Sequence, residues 1–288
     1  MDSNKNYFIS LFLFLFLVQK ILSLEEYSLP EEYDLRIEYK ECKSLNLNKN
    51  QKKLNESWAF ALAGLISDKI CINSNGKDQP ILSEAELLSC NKGEINKINS
   101  GFIYSIIKGL STESCKSYNK ISNYSNIKCS NNCIDNSKQK KYFISDYKLL
   151  DKEEKHIMNE IYFHGPVIAQ FRLYSDFYDF MRKKNKDEIY ELNPGSEFIG
   201  YHTIKIIGWG EKLVNEKNVT YWICANSLGN DDINDGFFKI IRGENYLDIE
   251  SYVYNGYINS KILHRNKDDK ISFEGHFFNF NNLNKDFM

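Results

Sequence analysis

Apolar positions along the chain change their period about halfway. In the first half they recur at helical spacing. Residues 58–71 predict a helix, with Phe60, Gly64, Leu65 and Ile66 available for packing. Ser83 followed three residues later by Glu86 has the form of a capping box, which predicts that residues 85–90 continue as a helix. Residues 102–110 predict a third short helix. Residues 25–50 read as polar and irregular. Residues 111–140 are rich in Ser, Asn and Lys and hold several cysteines, so they predict a cross-linked loop region.

From about residue 141 the pattern differs. Residues 153–164 are amphipathic and helical, and stop at Gly165 and Pro166. The runs VIAQFRLY, HTIKIIGWG, VTYWICANS and GFFKIIRG follow, each β-rich and separated from the next by turn residues. A helical first half and a strand-rich second half predict two lobes, one helical and one sheet or barrel. No internal repeat is present.

The N-terminus carries Lys5, then the apolar run from Phe8 to Val18, with Ser23 near a cleavage point. That run is too short to span a bilayer and predicts a signal peptide over residues 1–24, with a signal anchor as the alternative. The body then occupies residues 25–258, helical over about 40–140 and β-rich over about 141–258. Residues 259–288 form a charged, Asn-rich C-terminal extension. A length of 288 residues can bury a large core, and a formal net charge of −2 gives no sign of nucleic-acid or polybasic membrane binding. No stable membrane anchor is expected after signal cleavage.

The seven cysteines fit an oxidising compartment, with three bridges and one thiol left over. Cys224, in a strand-like run, reads as the buried free thiol. Spacing alone leaves the pairing open. No pair of cysteines has a histidine partner at zinc spacing, and neither a metal nor an organic cofactor is expected.

Three separated stretches carry candidate chemistry: QKKLNESWAF, YHTIKIIGWG and YWICANSLG. Taken alone, Ser57 could be a helix cap, His202 a core histidine and Asn226 a turn residue. Together with LPEEYDLR, ISDKICI, the YSDF run and GFFKIIRG followed by IES, they make the chain resemble the papain-like cysteine peptidases, the cathepsin B branch in particular. The resemblance covers about residues 29–258. It implies an α+β, papain-like two-lobe fold: a helical left lobe, a β-barrel-like right lobe and the active-site cleft between them.

Position by position, the resemblance places Gln51 as the oxyanion-hole glutamine and His202 as the general base. It places Asn226 as the residue orienting that base and Ser57 where the family has its nucleophilic cysteine. Trp58 and Tyr252 fall at substrate-binding positions, Tyr252 where cathepsin B has an acidic residue. Leu228 replaces an apolar-cover tryptophan. The implied bridges are Cys42–Cys71, Cys90–Cys129 and Cys115–Cys133. The bridge beside the nucleophile has lost both partners, with Leu54 at one of them.

A serine hydroxyl cannot form the resting thiolate–imidazolium pair of this family. It could react only with His202 taking its proton during attack. The neighbours differ too. Lys52, Lys53, Asn55 and Glu56 stand where the family has small residues, so they are expected to crowd the cleft. Glu56 near His202 is expected to favour imidazolium. Asn55, Asn123 and Asn218 each head an N-glycosylation sequon. Where the family has paired substrate-binding glycines, only Gly93 and Gly101 occur, apart. The segment between Cys115 and Cys129 is shorter than the cathepsin B occluding loop and lacks its histidines. LPEEYDLR follows the signal segment almost directly, so no inhibitory propeptide is expected.

The expectation is a cathepsin B-like pseudopeptidase, secreted or within the secretory and lysosomal pathway, binding a peptide or protein in its cleft. One alternative is an active endopeptidase using Ser57. Another is a structural component of a secreted layer.

Overall fold

The computed structural model describes residues 28–52, 56–91, 96–118, 129–183, 187–228 and 235–259. The signal segment, the C-terminal extension from residue 260, Lys53, Leu54, Gly93 and the sequons at Asn55 and Asn123 lie outside the described residues. The body begins at Glu31.

The chain opens with β1 (Tyr33–Asp34), α1 (Leu35–Glu38) and a 3-10 turn (Lys43–Asn46), within a stretch whose polar composition predicts no regular structure. Next come α2 (Ser57–Asn73), α3 (Glu84–Cys90) and α4 (Lys97–Ile107). The second half holds β2 (Asp146–Leu149), α5 (Glu154–His164), β3 (Val167–Tyr174), α6 (Phe177–Met181), β4 (Ile189–Tyr190), β5 (Phe198–Val214), β6 (Lys217–Ala225) and β7 (Phe237–Ile241). β8 (Val253–Tyr257) closes it.

α2 is buried on nearly all sides and is the axis of the main apolar cluster, which draws in Phe102 and Tyr104 of α4, Ile168 of β3 and Tyr254 of β8. α4 begins five residues before the predicted helix. Its start is Asn96, whose left-handed backbone (φ 54°) turns the chain and whose side chain accepts from the Asn99 amide. α5 ends at Gly165, where φ is 81° and a side chain would be strained.

The sheet runs β2-β8-β3-β5-β6-β7-β4, with β1 paired on β5. It is open, which corrects the expected barrel. Its end strands β2 and β4 are four and two residues long and pair on one side only, so no ladder joins them. All pairings are antiparallel except β4 with β7. β1 can lie across β5 because residue 208 is glycine: a Cβ there would sit 2.1 Å from the Tyr33 carbonyl oxygen.

Three disulfides join Cys42 to Cys71, Cys90 to Cys129 and Cys115 to Cys133, the pairing that the resemblance implies. Cys224 is free and buried on β6, and burial pushes its thiol well up.

Candidate active site

Ser57 is the first residue of α2, not its cap. The cap position is Glu56, which makes no side-chain capping bond. The Ser57 hydroxyl is buried (4% exposed) and accepts from the backbone N–H of Thr203 at 3.0 Å. It therefore leaves its own helix to join α2 to β5.

His202, on β5, is 3% exposed. Its Nε2 lies 2.7 Å from Asn226 Oδ1. Asn226 Oδ1 also accepts from the Ser227 amide at 2.8 Å, which fixes the orientation of the side-chain amide. An acceptor oxygen facing Nε2 places the ring proton there, so Nδ1 is the basic nitrogen. The rings of Phe171 and Phe177 flank the imidazole at 5.9 and 6.5 Å. Burial lowers the His202 pKa, and the Asn226 bond offsets part of that effect. The ring is neutral at pH 7. It makes no hydrogen bond with Ser57.

Asn226 follows the end of β6, and its backbone N–H donates to the Gly236 carbonyl. Its Nδ2 has no partner. It borders a small cavity of about 40 Å³ that Ser44 also lines, and the Ser44 hydroxyl is likewise unpartnered.

Gln51 is buried and tied to the Asn226 segment twice. Its amide donates to the Ser227 carbonyl at 2.8 Å, and its Oε1 accepts from the Ser227 hydroxyl at 2.5 Å. Its own carbonyl accepts from the Tyr118 hydroxyl. Leu228 bridges to Asn50 beside it. The fold thus gathers Gln51, Ser57, His202 and Asn226 from three separated stretches of the chain.

Glu56 corrects an expectation. Its carboxylate takes Lys97 Nζ at 2.9 and 3.1 Å and the Trp58 indole N–H at 2.5 Å. Two closer donors hold it, and it plays no part in the lowered pKa of His202. Lys97, on α4, thereby draws the start of that helix against the start of α2. This ion pair escapes sequence reading because its partners are 41 residues apart. Lys52 has a left-handed backbone (φ 56°), and its ammonium lies 5.7 Å from the Tyr118 ring centre.

Trp58 is buried against Gly101, where a Cβ would come 2.9 Å from the indole. Tyr252 is 44% exposed. Asn218 is exposed as the second residue of β6 and donates to Glu211. Among the described residues no group of three or more His, Cys, Asp or Glu could hold a metal ion, and no helix is long and apolar enough to cross a membrane.

Compared with known proteins, residues 29–257 match the model of papain family cysteine proteases. The chain is 33% identical over 253 residues to cathepsin B-like cysteine proteinase 3 of Caenorhabditis elegans, covering 79% of this chain and 66% of that protein, so it spans just under two thirds of that relative's length. It is 35% identical over 253 residues to a gut-specific cysteine proteinase of the same nematode, covering 80% and 74%. Among solved structures, procathepsin B S9 from Trypanosoma congolense superposes with a TM-score of 0.71 at 29% identity, covering 81% of this chain and 79% of that one.

Proposed function

The chain belongs to the papain family of cysteine proteases and is cathepsin B-like, and from that premise we propose that it is a catalytically impaired peptidase of the secretory pathway whose cleft binds a peptide or protein segment. The observation that carries this is the Ser57 hydroxyl. The resemblance puts it where the family has its nucleophile; in the fold it accepts from the Thr203 amide, and no hydrogen bond joins it to His202.

Two physical arguments support impairment. A hydroxyl has no accessible oxyanion state near pH 7, so attack needs a base in direct contact with it. His202 is neutral and its Nε2 is held by Asn226, but no hydrogen bond joins the imidazole to the serine hydroxyl. In addition, the Glu56–Lys97 ion pair ties α4 to the entrance of the site, where paired glycines would leave room for an extended peptide. Three disulfides support folding in an oxidising compartment.

The test is amide hydrolysis of a fluorogenic peptide library by the purified protein, run beside Ser57→Ala and Ser57→Cys. Native protein and Ser57→Ala should share a background rate, and Ser57→Cys should exceed both. A neutral, oriented His202 is also what a serine-nucleophile endopeptidase requires. Turnover by the native protein that Ser57→Ala abolishes would establish that reading instead.

A further inference from the structure

The face of β3 and β5 that leads outward from Ser57 is aromatic and exposed. β3 buries Phe171 and Leu173 and turns Gln170, Arg172 and Tyr174 outward. In register, Gln170 pairs with Thr203, Arg172 with Tyr201 and Tyr174 with Phe198. Phe198, Ile199, Tyr201 and Tyr252 are 48%, 50%, 47% and 44% exposed. Their rings form one chain: Tyr174 to Phe198 at 5.6 Å, Phe198 to Tyr201 at 5.9 Å, and Tyr201 to Tyr252 at 6.4 Å, all edge-on. The patch is continuous with the site. Tyr201 lies on the same face of β5 as Thr203, two residues on, whose amide donates to Ser57.

Large aromatic side chains left half in water, contiguous and mutually braced, mark an interaction surface and not a core. Arg172 gives the surface its sign. Its guanidinium carbon lies 5.1 Å from the Phe198 ring centre and 5.7 Å from that of Tyr174. Arg36, Arg182 and Arg242 each hold a carboxylate. Arg172 forms no ion pair among the described residues, not even with Glu197 beside Phe198. An arginine set on aromatic rings with no carboxylate is poised for a bidentate one from outside, and tyrosine with arginine is the composition of binding hot spots.

We propose that this face docks an acidic, aromatic segment of a protein partner. Rings of the partner lie against Phe198, Tyr201 and Tyr252, and a carboxylate meets Arg172. The proposal rests on the reading of the adjoining site as a peptide-binding cleft.

Fluorescence anisotropy with three fluorescein-labelled hexapeptides tests it: alternating phenylalanine and glutamate, alternating phenylalanine and lysine, and alternating alanine and glutamate. The first should bind native protein at least about tenfold tighter than either other, a difference of about 1.4 kcal/mol. Arg172→Gln should erase the preference for glutamate over lysine, and Arg172→Lys should restore part of it. Tyr201→Ala, at an exposed position, should weaken the first peptide about tenfold. Equal binding of all three peptides, unchanged by Arg172→Gln, would overturn the proposal and leave the cleft reading standing. Binding of none would overturn both. Self-association that Tyr201→Ala abolishes would show that a second copy occupies the face, and would also overturn the proposal.

Discussion

The hydroxyl of Ser57 and the amide of Thr203 are hydrogen-bonded at 3.0 Å, so the Ser57 side chain serves as a clasp between α2 and β5. The neighbouring His202 gives its Nε2 to Asn226, and no hydrogen bond joins its ring to Ser57. Both bonds are buried, and each leaves its partners little freedom to exchange.

The state of His202 predicts a pH signature. Burial lowers its pKa in the folded protein, so between that value and the unfolded value of about 6.5 the unfolded chain binds more protons. Its contribution is complete above about pH 6.5 and is lost as pH falls toward the folded value, by up to about 1.4 kcal/mol per pH unit. Glu84, pushed up to about 7 by burial, works in the opposite sense, because its folded form keeps a proton that the unfolded carboxyl releases. The measurement is therefore a difference: urea unfolding of native protein and His202→Gln at pH 7.5, 6.5 and 5.5. The stability gap between them should narrow as pH falls. A gap that widens would mean that His202 is charged in the fold.

Much of this site was legible in sequence, and the failures share a cause. Gln51, Ser57, His202 and Asn226 stand out in sequence because each sits in a run with its own local signal, and the fold brings those runs together. The cap at Ser83 was legible because it is local: its hydroxyl accepts from the Glu86 amide at 3.1 Å. The other half of that box fails. The Glu86 carboxylate turns to the Ser111 amide and hydroxyl, at 2.6 and 2.5 Å, and to Lys116 and Lys141. Glu56 was misassigned in the same way, since charges choose partners by tertiary distance. β1 was missed because its two residues become a strand only by lying on Gly208. The barrel expectation failed because strand runs read from sequence do not reveal whether the end strands meet.

The buried pair Asp68 and Lys205 should be among the most sensitive points of the fold. Lys205 Nζ donates to Asp68 Oδ2 at 2.5 Å, with 7% and 0% of the side chains exposed, and Asp68 Oδ1 has no partner. Lys205→Met leaves an uncompensated buried carboxylate and should cost about 3–5 kcal/mol, whereas Lys205→Met with Asp68→Leu should recover much of the loss. Chemical denaturation of both variants checks this. Equal losses would show that the charges are not coupled.

Gly208→Ala should dislodge β1, because a methyl group 2.1 Å from the Tyr33 carbonyl oxygen cannot be accommodated without moving backbone. A loss of about 2–4 kcal/mol is expected, and amide exchange should become fast at Tyr33 while β5–β6 pairing persists. Retained protection at Tyr33 would refute the role given to that glycine.

Fixing α2 to the chain before it is the task of the Cys42–Cys71 bridge, which closes over 29 residues. Replacing both cysteines by serine should lower stability by about 2–4 kcal/mol without altering the lowered pKa of His202, since the bridge lies at the far end of the helix. Thermal unfolding together with histidine titration by NMR separates the two effects.

The most direct measurement of the central claim is covalent titration of Ser57. Native protein incubated with a fluorophosphonate should show no adduct at Ser57 by intact mass and peptide mapping, because no hydrogen bond joins the Ser57 hydroxyl to His202. A stoichiometric adduct at Ser57, lost in His202→Gln, would contradict this account and establish a working serine nucleophile in a cysteine-protease fold.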